Sequence, residues 1–275
     1  LTLREAIADG DADRQFQQVR SFITQGVDGI IIAPKDAKTV IPMIRAANAA
    51  GIPMVLYNRP ADKSDARSVA VVADNYAITR ATVRCLAEEA RRGGKKRQAA
   101  VLIGDLGDMN AISRRDGFED EAKQHPDVIE VVARIATEWK QEKALAGLTN
   151  AYQASPEISL IFTSSDFMLP SIRSVLLSLG KWKQVGEEGH VILGAFDGDA
   201  TAYRLLVEGY LDADGVQDLG FECIASLDAV LDLKAGKTVP ERIDDKGFVI
   251  HQGNLQQASA RMWGANVRKL GQAAR

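Results

Sequence analysis

The side chains best placed to do chemistry stand at the ends of apolar runs. "ISLIFTSSD" closes on Ser164, Ser165 and Asp166, "HVILGAFDGD" carries Asp197 directly after Phe196, and "PMVLYNRP" ends on Asn58 and Arg59. A run of about five apolar residues marks a strand buried on both faces, so these groups sit at the carboxyl ends of parallel strands, where open α/β sheets bind ligands. Asp74, Arg114 and Gln217 belong to the same set of polar strand ends. Carboxylate and amide oxygens accept from hydroxyls while guanidinium and amide nitrogens donate to them, so the mixture suits a neutral polyhydroxylated ligand better than an anion. A sugar fits this inventory. Sugars also present a C–H face to aromatic rings, and although the chain is only 6% aromatic, Trp139 follows a strand and Phe196 precedes Asp197.

Each of these residues also has a structural reading. Asp197 could cap the helix that follows it; for Asp166 capping is the better reading, and so it is for Asp74 and Asn75 ahead of a long helix. Arg114, within "SRRDGF" at an expected helix start, lies against the positive end of the helix dipole, a placement more often functional than decorative, though it or Arg115 could be solvated. Trp139 could anchor the next helix at the surface. Signatures of catalysis are missing. No G-x-x-x-x-G-K-[ST] or G-x-G-x-x-G occurs, and "IGDLGD" reads as an ordinary strand-to-helix turn. His125, His190 and His251 are isolated, and Ser164 and Ser165 lack a nucleophile elbow. The expectation is a binder with no catalytic residue, no metal and no cofactor.

The elements that must position these groups alternate. The pattern predicts strands at 2–8, 28–33, 53–57 and up to 73, with helices at 13–25, 37–50 and 77–92, the helix ends marked by Gly26 and Gly51. The alternation then begins again, with strands at 99–103, 129–136, 160–163, 191–196 and 211–216 and helices at 113–124, 141–155, 167–179, 200–208 and 220–234. A short strand at 248–251 and a terminal helix from Asn254 complete the chain. The first βαβ unit opens on what should be an outer strand. In a sheet of order 2-1-3-4-5 a central strand would pair with it, so a natural N-terminal strand and helix are expected to be missing from the sequence, and 2–8 to be left unpaired.

Composition narrows the class. The 275 residues are 46% hydrophobic with a net charge of −3, ample for a folded core and without a basic face for nucleic acid. The apolar stretches are strand-sized, short of the roughly 20 residues that span a bilayer. Cys85 and Cys223, each inside a predicted helix, read as partly buried thiols. The chain starts at Leu1 without a Met, as a processed sequence would, so export is permitted.

Taken in order, "GVDGIIIAPKDAKTVIPMIRAANAAGIPMVLYNRP", "VADN", "SRRDGF", "SSDFMLPSI", "GAFDGD" and "VQD" resemble the ribose- and galactose-type periplasmic sugar-binding proteins of ABC transporters. The resemblance implies two Rossmann-like α/β lobes with parallel sheets and three crossovers, residues 1–73 plus 218–245 forming one lobe and 74–217 plus 246–275 the other, closing over a monosaccharide. It implies that Asn58 and Arg59 bind sugar hydroxyls from one lobe, Arg114, Ser165 and Asp197 from the other, and Gln217 at a crossover. Trp139 matches the stacking aromatic, with Phe196 flanking the Asp. Ala33 and Ser165 replace asparagines of the family pattern, which implies a different hydroxyl pattern in the ligand. The implied protein is a periplasmic monomer that delivers a monosaccharide or polyol to a membrane permease. The same superfamily contains effector domains of lactose-repressor-type regulators and autoinducer-type sensor proteins, which stand as the alternative.

Overall fold

The computed structural model describes residues 1–267. In chain order the elements are α1 (Ala12–Thr24), β1 (Ile30–Ile32), α2 (Ile41–Ala49), β2 (Met54–Tyr57), β3 (Val69–Ala73), α3 (Asn75–Arg92), β4 (Arg97–Ile103), α4 (Met109–Ala122), β5 (Ile129–Ala136) and α5 (Gln141–Ala154). There follow β6 (Ile158–Thr163), a 3₁₀ turn (Asp166–Met168), α6 (Leu169–Ser178), β7 (Ile192–Asp197), α7 (Ala200–Val207), β8 (Ala213–Val216), α8 (Leu219–Lys234), β9 (Arg242–Asp245), β10 (Phe248–His251) and α9 (Leu255–Ala258). The helix expected from Asn254 is broken by a second 3₁₀ turn, Ser259–Arg261, and its last residues lie outside the described ones.

The chain divides into two compact units: Leu1–Ala73, Gly107–Asn110 and Leu219–Asp245 form the first, and Asp74–Leu106, Ala111–Asp218 and Lys246–Arg275 the second. The excursion Gly107–Asn110, expected with the second lobe, groups with the first unit because its polar atoms find partners there. The Ala37 amide donates to the Gly107 carbonyl at 3.0 Å, and Asp108 pairs with Arg59.

In the first unit the four strands run in the order β1-β2-β3-β9, every neighbouring pair parallel. Val40, Met43, Ile44, Met54 and Leu56 bury one face under α1 and α2, and Val55, Val69 and Val71 bury the other under Ala229 and Val230 of α8. Two features depart from the sequence reading. Residues 2–8 form no strand; β1 is the sheet edge, no described strand pairs with them, and Leu3 and Ile7 are three-quarters exposed. The strand β9 hid behind its charge. Its "RIDD" carries an Arg242–Asp244 ion pair, the composition that suits a solvent-facing edge and masks the alternation of a strand.

In the second unit the order is β10-β8-β7-β6-β4-β5. All pairs are parallel except β10 on β8, so the sheet ends on an antiparallel edge strand where only parallel strands were expected. Gly194 and Gly215 let α3 lie directly on the sheet: a Cβ at Gly194 would come within 2.5 Å of Leu86, and one at Gly215 within 2.8 Å of Ile78 and Thr82. Phe118 stacks on Phe162 at 5.3 Å beneath α4. Among the described residues no helix is long and apolar enough to cross a membrane.

At the amino ends of β7 and β8, the His190 imidazolium donates from Nε2 to Asp212 (2.9 Å) and from Nδ1 to the Lys183 carbonyl (2.8 Å), while Asp212 also accepts from the Leu193 amide. Burial opposes the imidazolium, but the Asp212 hydrogen bond and charge, with the Lys183 carbonyl, outweigh it and raise the His190 pKa. A raised histidine contributes stability that is fully present below its unfolded pKa of about 6.5 and is lost as pH rises through the folded value. His190→Gln should therefore cost about 1–2 kcal/mol near pH 5.5 and distinctly less near pH 9, read from urea unfolding at the two pH values.

Candidate functional site

Both units raise polar side chains at the carboxyl ends of their central strands. Among the described residues only five non-glycines have positive φ, and three of them, Asn58 (63°), Trp139 (58°) and Asp197 (138°), are residues singled out from sequence. L side chains rarely adopt such backbone, and it persists where surrounding contacts over-determine it.

In the first unit β2 delivers Tyr57, Asn58 and Arg59. The Asn58 amide N–H donates to the Val71 carbonyl, closing the strand end, and its left-handed turn swings the side chain toward α8, where Nδ2 donates to Glu222 Oε2 at 3.0 Å. Asn110 Nδ2 donates to the Asn58 carbonyl at 2.9 Å. Arg59 Nε meets Asp108 Oδ2 at 3.0 Å; Asp108 is buried while the guanidinium remains about one-third exposed. Burial, with the neighbouring Cys223 and Glu222, pushes the Tyr57 phenol far above its ordinary range, so it is neutral at any physiological pH. Both cysteines are free thiols.

In the second unit the cluster is organised on one guanidinium. Arg114 Nε donates to Asn75 Oδ1 at 2.7 Å, and Nη1 donates to the Ser164 carbonyl (2.7 Å) and to Asp197 Oδ1 (2.8 Å). Its plane lies 3.7 Å from the centroid of the Phe196 ring. Gln217 Nε2 also donates to Asp197 Oδ1 at 2.9 Å, and Ser165 Oγ donates to Asp197 Oδ2 at 2.6 Å. Asp197 thus collects Arg114, Gln217 and Ser165, and retains an 18% exposed carboxylate, whereas Arg114 is almost wholly buried. Charges cancel within the cluster, whose partly exposed member is the Asp197 carboxylate while Arg114, Ser165 and Gln217 are buried around it.

Several sequence expectations are corrected here. Phe196 is completely buried, so it supports Arg114 from beneath and does not itself face a ligand. The helix carrying Arg114 begins at Met109, where the Asn110 amide binds Asp108, so Arg114 lies in its second turn and the dipole argument does not apply. Asp197 caps nothing; Asp199 caps α7, accepting from the Thr201 and Ala202 amides. Asp166 is not a helix cap either: Ser165 Oγ accepts from the Phe167 amide, while Asp166 Oδ2 accepts from the Gly198 and Asp199 amides at 2.8 Å each. Asp74 does cap α3, through the Ala77 amide. Trp139 is half-buried, its ring laid on Gly104, where a Cβ would come within 2.2 Å of the indole. Its Nε1 is buried, with no acceptor in reach among the described residues.

Glu222, Asp108, Asn110 and Trp263 were missed. Trp263 Nε1 donates to the Asp197 carbonyl at 2.8 Å, pinning the strained residue. An acid or amide at a helix start looks like a cap in any sequence, and a tryptophan 66 residues from its partner leaves no local signal.

Two α/β units with largely parallel sheets and polar side chains at their strand ends define the class of the periplasmic binding proteins. The chain belongs to the periplasmic binding protein domain family, whose model matches residues 2–238. It is 26% identical over 236 residues to the ribose import binding protein of Bacillus subtilis (strain 168), covering 86% of this chain and 72% of that one. It is 29% identical over 233 residues to the xylitol-binding protein of Mycolicibacterium smegmatis, covering 84% of this chain and 63% of that one. An ABC transporter solute binding protein from Mycobacterium smegmatis, solved with bound glycerol, superposes with a TM-score of 0.81 at 26% identity, over 91% of this chain and 83% of that one.

Removing the guanidinium strands Asp197 and Asn75 together. Arg114→Ala should lower unfolding free energy by about 3 kcal/mol or more, and Arg114→Lys should recover only part of it, since an ammonium cannot reproduce the planar fork. Urea denaturation followed by circular dichroism measures both; a loss below about 0.5 kcal/mol in the alanine variant would contradict the central role given to Arg114.

Proposed function

We propose that the protein binds a monosaccharide or related polyol, outside the cytoplasmic membrane, and delivers it unaltered to the permease of an ABC transporter. The observation that carries this reading is the charge-neutral cluster of Arg114, Ser165, Asp197 and Gln217, oriented at the strand ends. A hydroxyl can donate to the exposed edge of Asp197 and accept from Arg114 or Gln217, the alternation that vicinal diols offer. An anionic solute would meet a guanidinium already neutralised by Asp197. Asn58 and Arg59 supply a second hydroxyl-binding set from the first unit, and Trp139 a ring face for the apolar side of the ligand. The names of the ribose and xylitol relatives, and the glycerol bound in the solved structure, support a polyhydroxylated ligand. Family membership supports a carrier without catalysis and a permease as partner.

A thermal-shift screen across pentoses, hexoses and alditols should yield at least one compound that raises the melting temperature, because a ligand that binds only the native state stabilises it by mass action. Calorimetry with that compound should show Asp197→Asn, which keeps an acceptor for Arg114, weakening affinity by about 10-fold or more as charge-assisted hydrogen bonds are lost. Unchanged affinity in this variant would remove Asp197 from the site. Recovery of a chemically altered sugar after prolonged incubation would overturn the carrier reading.

A further inference from the structure

Behind Asp197 lies a second carboxylate contact that the binding site does not use directly. Asp214, at the centre of β8, is completely buried, and Asp166 is 1% exposed. Among the described residues no hydrogen-bond partner reaches either oxygen of Asp214 or Oδ1 of Asp166, and the two buried carboxyls lie near enough to act on one another. We propose that Asp166 and Asp214 share a single proton, and that this pair holds the turn after β7 so that Asp197 is presented to the ligand.

The physical case begins with charge. Two ionised carboxylates in contact, both out of water, would repel and be desolvated together, whereas one proton between them makes a short charge-assisted O–H···O⁻ bond. The groups that face Asp214 do not offer another solution. Asp166 comes from the 3₁₀ turn, Asp197 from the end of β7, Asp199 from the cap of α7, and Arg114 from α4 is a cation already engaged with Asp197. On β10 it is Ile250 that stands opposite Asp214, and α3 covers the other face of the sheet, against Gly215. Arg204 of α7 acts on Asp199, and Arg261 lies over the Phe248 ring. Burial first, and then the neighbouring acids, push both carboxyls well above the ordinary carboxylate range.

The position of the proton follows from the backbone. Asp166 Oδ2 accepts two amides, from Gly198 and Asp199, and such donors favour the ionised form. The proton therefore resides on Asp214, which donates to Asp166, which in turn fixes the Gly198–Asp199 turn. Asp197 precedes that turn directly, and the same turn is tied to the end of the chain through the Trp263 bond and the Gly264 amide on the Gly198 carbonyl. Asp214 is thus a positioning residue. Its effect on ligand affinity rests on the sugar-binding reading; the proton sharing does not.

The test uses the whole chain and begins without any sugar. With aspartate labelled at Cγ by carbon-13, one carboxyl should keep the chemical shift of a protonated acid near pH 7, and the signal should vanish in Asp214→Asn, which retains a donor but no titrating group. Absence of that signal in the wild type, or its persistence in the variant, would overturn the shared proton. The indole N–H resonance of Trp263 reports the turn: it should shift in Asp214→Ala, which lacks a donor, and return to its place in Asp214→Asn. An unmoved resonance in Asp214→Ala would overturn the positioning role. With xylitol or D-ribose as probe, affinity should fall about 10-fold in Asp214→Ala and stay within about twofold in Asp214→Asn. Failure of the wild type to bind either probe would count against those ligands while leaving the spectroscopic result to decide the proton.

Discussion

A guanidinium withdrawn from water is the constraint on which the second unit is arranged. A guanidinium is a fork of N–H donors, and burying that of Arg114 is tolerable only if those donors are met. The partners come from four separate stretches of chain: Asn75 at the start of α3, the Ser164 carbonyl after β6, Asp197 at the end of β7 and Gln217 after β8. Satisfying one side chain therefore fixes the mutual position of four strand and helix ends. The Phe196 ring beneath contributes a cation–π contact, worth more here than at an exposed site because the charge is desolvated.

On the function proposed for it, this arrangement would reconcile two demands that usually conflict. A site for a neutral polyol needs strong, directional donors and acceptors, yet a strong charge left unpaired would favour anions or water. Internal neutralisation of Arg114 by Asp197 keeps the dipoles and removes the net charge. The first unit does the same in a smaller way with Arg59 and Asp108. Membership of the periplasmic binding protein family and the likeness to proteins named for ribose and xylitol sit easily with such chemistry.

Much of this was legible in the sequence, for a physical reason. Strands buried on both faces must be apolar, so β2, β6 and β7 stand out, and so do the polar residues Asn58, Ser165 and Asp197 that the structure places at or just after their ends. What the sequence hid was contact at a distance. Nothing local distinguishes an aspartate that caps a helix from one that braces a neighbouring loop, so Asp166 reads as a cap where it braces a turn, and the cap that stood as the alternative for Asp197 belongs to Asp199. Phe196 looked like a ligand-facing ring because strand alternation does not say which face carries the guanidinium. Charged "RIDD" has no apolar alternation, so β9 is defined by its pairing with β3 and not by its composition.

The backbone at Asp197 and Asn58 bears on how this family member can be altered. At φ of 138° and 63° most side chains are strained before they make any contact, so exchange at these two positions is confined largely to glycine and asparagine-like residues. Ser165 and Gln217 occupy ordinary backbone beside the same carboxylate. The surroundings of the carboxylate are therefore changed at less backbone cost by varying those two neighbours around a fixed Asp197 than by replacing the aspartate, which makes the strained residues a rigid frame and the relaxed ones its adjustable part.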